Sequence, residues 1–180
     1  MSTQLWWYVA RSSGTVSWAL LALSVVWGLT LSTRWLGRRA RPNWLLDLHR
    51  FLGGAAVVFV GVHVAALVAD SYTYFGPTDL LVPFASHWHP VAVAWGVIGM
   101  YLLVAVEITS LLRKRLSKRA WRATHLLSFP LFVLATVHGL TAGTDAGSPI
   151  LRVAMSATSL VVVVLTASKL RHVRPVPRLA

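Results

Sequence analysis

The stretch DLHRFLGGAAVVFVGVHV (Asp47–Val64) sets His49 and His63 fourteen residues apart in a run that is otherwise almost wholly apolar. Ionisable groups inside a membrane span are costly and usually functional. Fourteen residues make nearly four helical turns, so the two imidazoles share one face of a helix, about 21 Å apart. A second apolar stretch, WRATHLLSFPLFVLATVHG (Trp121–Gly139), repeats the pattern with His125 and His138 thirteen residues apart. Thirteen residues make about 3.6 turns, which turns His138 well away from the face of His125. Pro130 lies between them, and a proline there kinks or rewinds a helix locally. Such a kink could re-aim one of the two histidines; the sequence leaves that open.

Composition places these stretches in a membrane protein. The 180 residues are 56% hydrophobic and 12% charged, whereas soluble domains carry about a quarter charged residues. The formal charge of +12 does not point to nucleic acid. Most Lys and Arg fall in three clusters between apolar runs, as the positive-inside rule expects. The chain has no cysteine, which excludes disulfides, thiolate-held clusters and covalent haem attachment through Cys-x-x-Cys-His. The opening MSTQLWWYVARSSG lacks the basic start, apolar core and cleavage site of a cleaved signal peptide.

Five runs, at 15–33, 44–69, 89–112, 121–142 and 150–170, reach the length of about 20 residues that a spanning helix needs. The predicted fold is therefore an all-α integral membrane bundle of about five transmembrane helices. An interfacial segment (1–14) precedes the membrane domain (15–170), and a basic tail (171–180) follows it. Pro42, Pro90 and Pro149 stand at or near span starts, where a missing N–H costs least. Trp6, Trp7, Tyr8, Trp44, Tyr72, Tyr74, Trp88 and Trp121 mark interfacial belts. The segments RWLGRRAR (34–41), RKRLSKRAWR (113–122) and KLRHVRPVPR (169–178) are basic, while 70–88 and 143–149 carry Asp70, Asp79 and Asp145 with no Lys or Arg. This asymmetry predicts a multi-pass protein of the cell's inner (plasma) membrane, N-terminus outside and C-terminus cytoplasmic.

With that topology the second and fourth spans run in the same direction. His49 and His125 then form an inner level, and His63 and His138 an outer one. The arrangement suits two haems held one above the other, each iron taking one imidazole from each helix. Gly53, Gly54, Ala55, Ala56 and Gly61 between the two levels, and Gly139 after His138, offer clearance for a flat macrocycle; ordinary helix packing through small residues is the competing explanation. Arg50, Arg41 and Arg122 at the inner level, and Arg11 and Arg152 at the outer, are candidate partners for propionates. Arg50 also has the alternative of snorkelling to the interface. Glu107 is the one acidic side chain well inside a predicted span; an ion pair with the basic loop is the expected role, proton handling for a quinol the other. His87 and His89 in SHWHP (86–90) lie in the outer loop, too few for a metal site without a third ligand. His172 in the basic tail is expected to face water or headgroups.

Taken together, W-x4-H-R-x-L-G-x9-H (Trp44–His63) and W-x3-H-x12-H-G (Trp121–Gly139) resemble the ferric reductase-like transmembrane domain family. That family includes NADPH oxidases, ferric-chelate reductases and the haem subunit of periplasmic methionine sulfoxide reductase. The resemblance covers roughly 15–170. It implies two non-covalent haems b, with His49 and His125 on the inner iron and His63 and His138 on the outer. It also implies transmembrane electron transfer, from a cytoplasmic or quinol donor to an outer acceptor. The chain departs from larger relatives in having five spans rather than six and no Gly-rich dinucleotide motif. FAD or FMN is therefore expected only on a separate flavoprotein partner, if the donor is not a membrane quinol. Two alternatives stay open: a haem subunit serving a dedicated periplasmic reductase, and a haem-free transporter or scaffold using its histidines for protons or packing.

Overall fold

The computed structural model describes residues 3–32, 43–71 and 73–172, with the side chains of Thr3 and His172 left aside. The whole first basic cluster (34–41, with Arg41), Tyr72 and the end of the basic tail lie outside that description. The elements are α1 (Thr3–Ser32), α2 (Asn43–Ala69), a short α3 (Pro77–Leu81), α4 (Pro90–Leu111), α5 (Lys118–Leu126), α6 (Ser128–Thr141), a 3-10 turn (Thr144–Gly147) and α7 (Pro149–His172). Five helical stretches are long and apolar enough to cross a membrane, α5 and α6 together making the fourth. The protein is an all-helical, multi-pass membrane bundle.

Helix α1 differs from the expected boundaries. It begins at Thr3, so residues 3–14 continue the span as helix instead of forming a segment of their own. Nothing in QLWWYVARSSG breaks a helix: there is no proline, and Gly14 is a single tolerated interruption. The buried positions of α1 (Ala10, Ser13, Ser17, Trp18, Leu21, Ala22, Ser24, Val25, Leu29) gather on one face, linked by three- and four-residue steps. That stripe makes α1 the central helix. Its Trp18, Leu21, Ala22, Val25 and Leu29 meet Ala56 of α2, Leu103 of α4, Leu131 and Phe132 of α6, and Met155, Val162 and Leu165 of α7. A buried hydrogen bond from Trp18 Nε1 to Thr136 Oγ1 (3.0 Å) ties α1 to α6 at mid-height. The outward faces carry exposed large apolar side chains, among them Phe51, Val58, Val133, Ile150, Val153 and Val163. In water so much exposed apolar surface would drive aggregation; hydrocarbon is its natural solvent.

Four of the five spans form two antiparallel pairs, α1 with α2 and α4 with α5–α6, and α7 packs on α1. At the acidic end, Phe75, Leu80, Trp88, Val93 and Val97 pack over Val64 and Leu67, so the segment after α2 folds back across that end. At the basic end, α5 starts on a capped turn, Ser117 Oγ accepting from the Ala120 amide (3.1 Å).

The fourth span is broken where the sequence places Pro130. The proline supplies no N–H, and its ring crowds the carbonyl four residues back, that of Leu126. Instead of an α-helical bond, the Leu127 amide makes a tighter one to Thr124 O (3.0 Å), and regular bonding resumes with Leu131 to Leu127 O (3.0 Å). The break between Leu126 and Ser128 divides the span into α5, carrying His125, and α6, carrying His138.

Candidate functional site

The four histidines come together in two pairs. The His49 and His125 ring centres lie 6.0 Å apart with their planes at 76°. Those of His63 and His138 lie 6.4 Å apart at 79°. The interruption at Leu127, three residues before Pro130, falls between the two histidines, where one regular straight helix would turn them about 140° apart. Two metal–nitrogen bonds of about 2 Å each, with each ring centre about 1 Å behind its nitrogen, span about 6 Å. Both separations fit one metal ion held between two imidazoles.

The ring nitrogens reinforce this reading. His63 Nδ1 lies 2.7 Å from Ala10 O, His138 Nδ1 2.8 Å from Ala92 O, and His49 Nδ1 3.1 Å from Ser24 O, with Ser24 Oγ at 3.2 Å. A carbonyl can only accept, so in each case Nδ1 carries the hydrogen and Nε2 of the neutral ring keeps its lone pair. Metal-binding histidines are commonly oriented by a bond of this kind. His125 differs: its Nδ1 has Ser110 Oγ at 3.4 Å.

Each carbonyl bond requires a bare place on the opposing helix. Ala10, Ser24 and Ala92 are each followed four residues later by a glycine, Gly14, Gly28 and Gly96. A Cβ on Gly14 would come within 3.0 Å of His63 Nδ1, one on Gly28 within 3.0 Å of His49 Cε1, and one on Gly96 within 2.7 Å of His138 Cε1. These glycines let imidazoles reach backbone oxygens of α1 and α4 that a side chain would cover. The acidic-end pair also borders a cavity of about 260 Å³, whose lining includes His63, His138, Gly14, Gly96, Trp18 and Arg11.

Other residues singled out in the sequence are placed as follows. Gly54 is half-buried and Gly61 exposed; a Cβ on either would meet nothing within 4 Å. Neither lines the acidic-end cavity. Arg50 is exposed and bonded to Asp47 (3.1 Å). Arg152 is exposed and donates to Ala146 O. Arg122 is exposed as well. Arg11, by contrast, reaches the cavity wall, where Asp145 holds it in an ion pair (Nε to Oδ2 2.9 Å) and it lies 4.0 Å over the Trp7 ring. Glu107 forms no ion pair among the described residues, contrary to expectation. It faces α2 instead, its Oε2 3.1 Å from where a Gly53 Cβ would stand. His87 lies 3.3 Å from Asp79 Oδ1, and His89 packs edge-on to Trp88. No three metal-ligating side chains converge among the described residues.

A family model described as ferric reductase like transmembrane component matches residues 13–136. The chain belongs to this family. The matched region contains His49, His63 and His125 and stops two residues short of His138. Membership points to electron transfer across the membrane. The chain is also similar to an uncharacterized protein of Archaeoglobus fulgidus, 28% identical over 123 residues, which cover 64% of this chain and 65% of that protein. No solved structure matches.

Reasoning from sequence found the four histidines but not what orients them. The missing residues are the acceptors Ala10, Ser24 and Ala92 and the glycines that expose them. Their common signal, a small residue followed four positions later by glycine, was present in the first and third spans. It is visible as a feature only once those helices are seen to face the histidines.

Proposed function

We propose that this ferric reductase-like protein carries electrons across the membrane through two haems b. His49 and His125 would hold the one near the basic face, His63 and His138 the one near the acidic face. The observation that carries the reading is the pair of ring separations, 6.0 and 6.4 Å, combined with Nδ1 hydrogens committed to protein acceptors at three of the four rings. Bound haem supplies one-electron chemistry between ferric and ferrous iron. The protein's own part would be to fix the rings and hold each haem between two imidazoles. Held between two imidazoles, a haem would favour electron transfer over direct binding of a small ligand.

Two levels about 20 Å apart on each helix divide the membrane into short steps. The basic face is proposed to be cytoplasmic, with both the acidic loop and the N-terminus on the far side of a plasma membrane. The five spans and their loops contain no dinucleotide motif, so electrons reach them from outside this stretch, from a flavoprotein or a membrane quinol. The acceptor lies beyond the His63–His138 level; ferric iron is the substrate that the family description suggests.

An absorption spectrum of the purified protein, oxidised and then reduced with dithionite, tests the reading. Sharp reduced b-type bands and two haems per chain are expected. Protein made with ample haem that remains colourless would sink it. His63→Ala should remove one haem and leave the other; unchanged haem content would overturn the ligand assignment.

A further inference from the structure

Three of the four histidines are oriented by backbone carbonyls through a glycine gap, and His125 is not. Its Nδ1 partner is a side-chain hydroxyl at 3.4 Å, which can donate or accept and so does not dictate the tautomer. The position four residues after Ser110 is Lys114, beyond the end of α4, so the glycine device has no place there. What His125 has instead is Trp121, one turn earlier on α5. The two rings stack with centres 5.1 Å apart and planes at 23°. The guanidinium of Arg113 lies 4.6 Å over the same indole.

An interfacial tryptophan that only anchored the helix would send its N–H to water or headgroups. Trp121 Nε1 is buried and has no hydrogen-bond partner among the described residues. Burying a polar N–H without a partner is unfavourable, so the ring is held where it is by its faces rather than by its edge. We infer that Trp121, stacked on His125 beneath Arg113, is the positioning residue of the basic-end ligand, doing with an aromatic face what backbone carbonyls do for the other three histidines. The inference rests on the two-haem reading above. It makes the basic-end iron the one whose ligand orientation is set by a replaceable side chain, next to the surface where a donor would arrive.

The test uses the full-length, haem-loaded protein in detergent or nanodiscs. Ferric EPR g values report the relative orientation of axial rings, and a redox titration resolves the two haems by potential. Trp121→Leu should shift the g values and midpoint of one haem, or lose that haem, while the other is unchanged. Trp121→Phe, which keeps a stacking face, should restore wild-type values. Ser110→Ala should have the smaller effect of the two positions. The inference is overturned if Trp121→Leu binds two haems with unaltered spectra and potentials. It is equally overturned if both haems shift together, if Trp121→Phe fails as badly as Trp121→Leu, or if Ser110→Ala alone reproduces the shift. A wild-type protein without two haems would instead remove the reading on which the inference rests.

Discussion

At the scale of single residues, the glycines are the most discriminating feature. Gly96 opposes His138 at a distance that a methyl group cannot share, 2.7 Å. Gly96→Ala should therefore displace the ring from Ala92 O, with an overpacking cost of about 1–3 kcal/mol. Haem content should fall toward one per chain. Gly61→Ala should leave haem content unchanged, since a Cβ there meets nothing within 4 Å. Haem quantification on the two variants separates glycines that admit a ligand from glycines that merely lie between ligands. The comparison also shows what sequence conceals. In the second span, glycines beside histidines drew attention because they were adjacent in the chain. Gly14, Gly28 and Gly96 are 49, 21 and 42 positions from the rings they admit (His63, His49, His138), and only the antiparallel packing of α1 on α2 and of α4 on α6 brings them there.

At the scale of elements, the two-haem reading gives the broken fourth span a role that can be tested. Pro130→Ala would restore the missing amide and relieve the clash with the Leu126 carbonyl. A continuous helix from Lys118 to Thr141 would then turn His125 and His138 about 140° apart. Circular dichroism should show unchanged or slightly raised helix content, with loss of one haem. Retention of two haems would mean that the break is not needed. The spans, their number and the histidine levels were legible in sequence because hydropathy and spacing are local properties. So was the suspicion about Pro130. That residues 3–14 are helical was not legible, because the first turns of α1 are polar and aromatic and read only as an interfacial segment. The pairing of Arg11 with Asp145 was not legible, since it joins residues 134 apart. The ion pair expected of Glu107 failed for the complementary reason: proximity in sequence to a basic loop did not decide which helix its side chain faces.

At the scale of the whole molecule, the two ligand pairs are not equivalent. The acidic-end histidines both donate to carbonyls, at 2.7 and 2.8 Å. The basic-end pair has one longer carbonyl bond, at 3.1 Å, and one hydroxyl at 3.4 Å. Stronger acceptors at Nδ1 raise ligand basicity and favour the ferric state. The acidic-end haem should thus have the lower midpoint potential, measurable by optical redox titration with His63→Ala identifying which step is which. Topology can be read on the same molecule. The chain has no cysteine, so a single Ser148→Cys reports one position cleanly. An impermeant maleimide added to intact cells should label it, and labelling that appears only after lysis would reverse the proposed orientation.

Each ligand pair draws one histidine from α2 and the other from the α5–α6 stretch, so neither antiparallel pair owns a complete site. If the proposed two-haem reading holds, the first hairpin alone would lack a complete site during biogenesis, and loading would follow assembly of the second. In the two-haem reading each iron would be a staple between hairpins that also meet through α1 with α6, at the Trp18–Thr136 bond, and through α2 with α4. A bound ligand of this kind stabilises the assembled state by mass action. Haem-depleted protein should accordingly be cut sooner in the Arg113–Lys118 connection during limited proteolysis, and it should unfold at lower temperature than the loaded form.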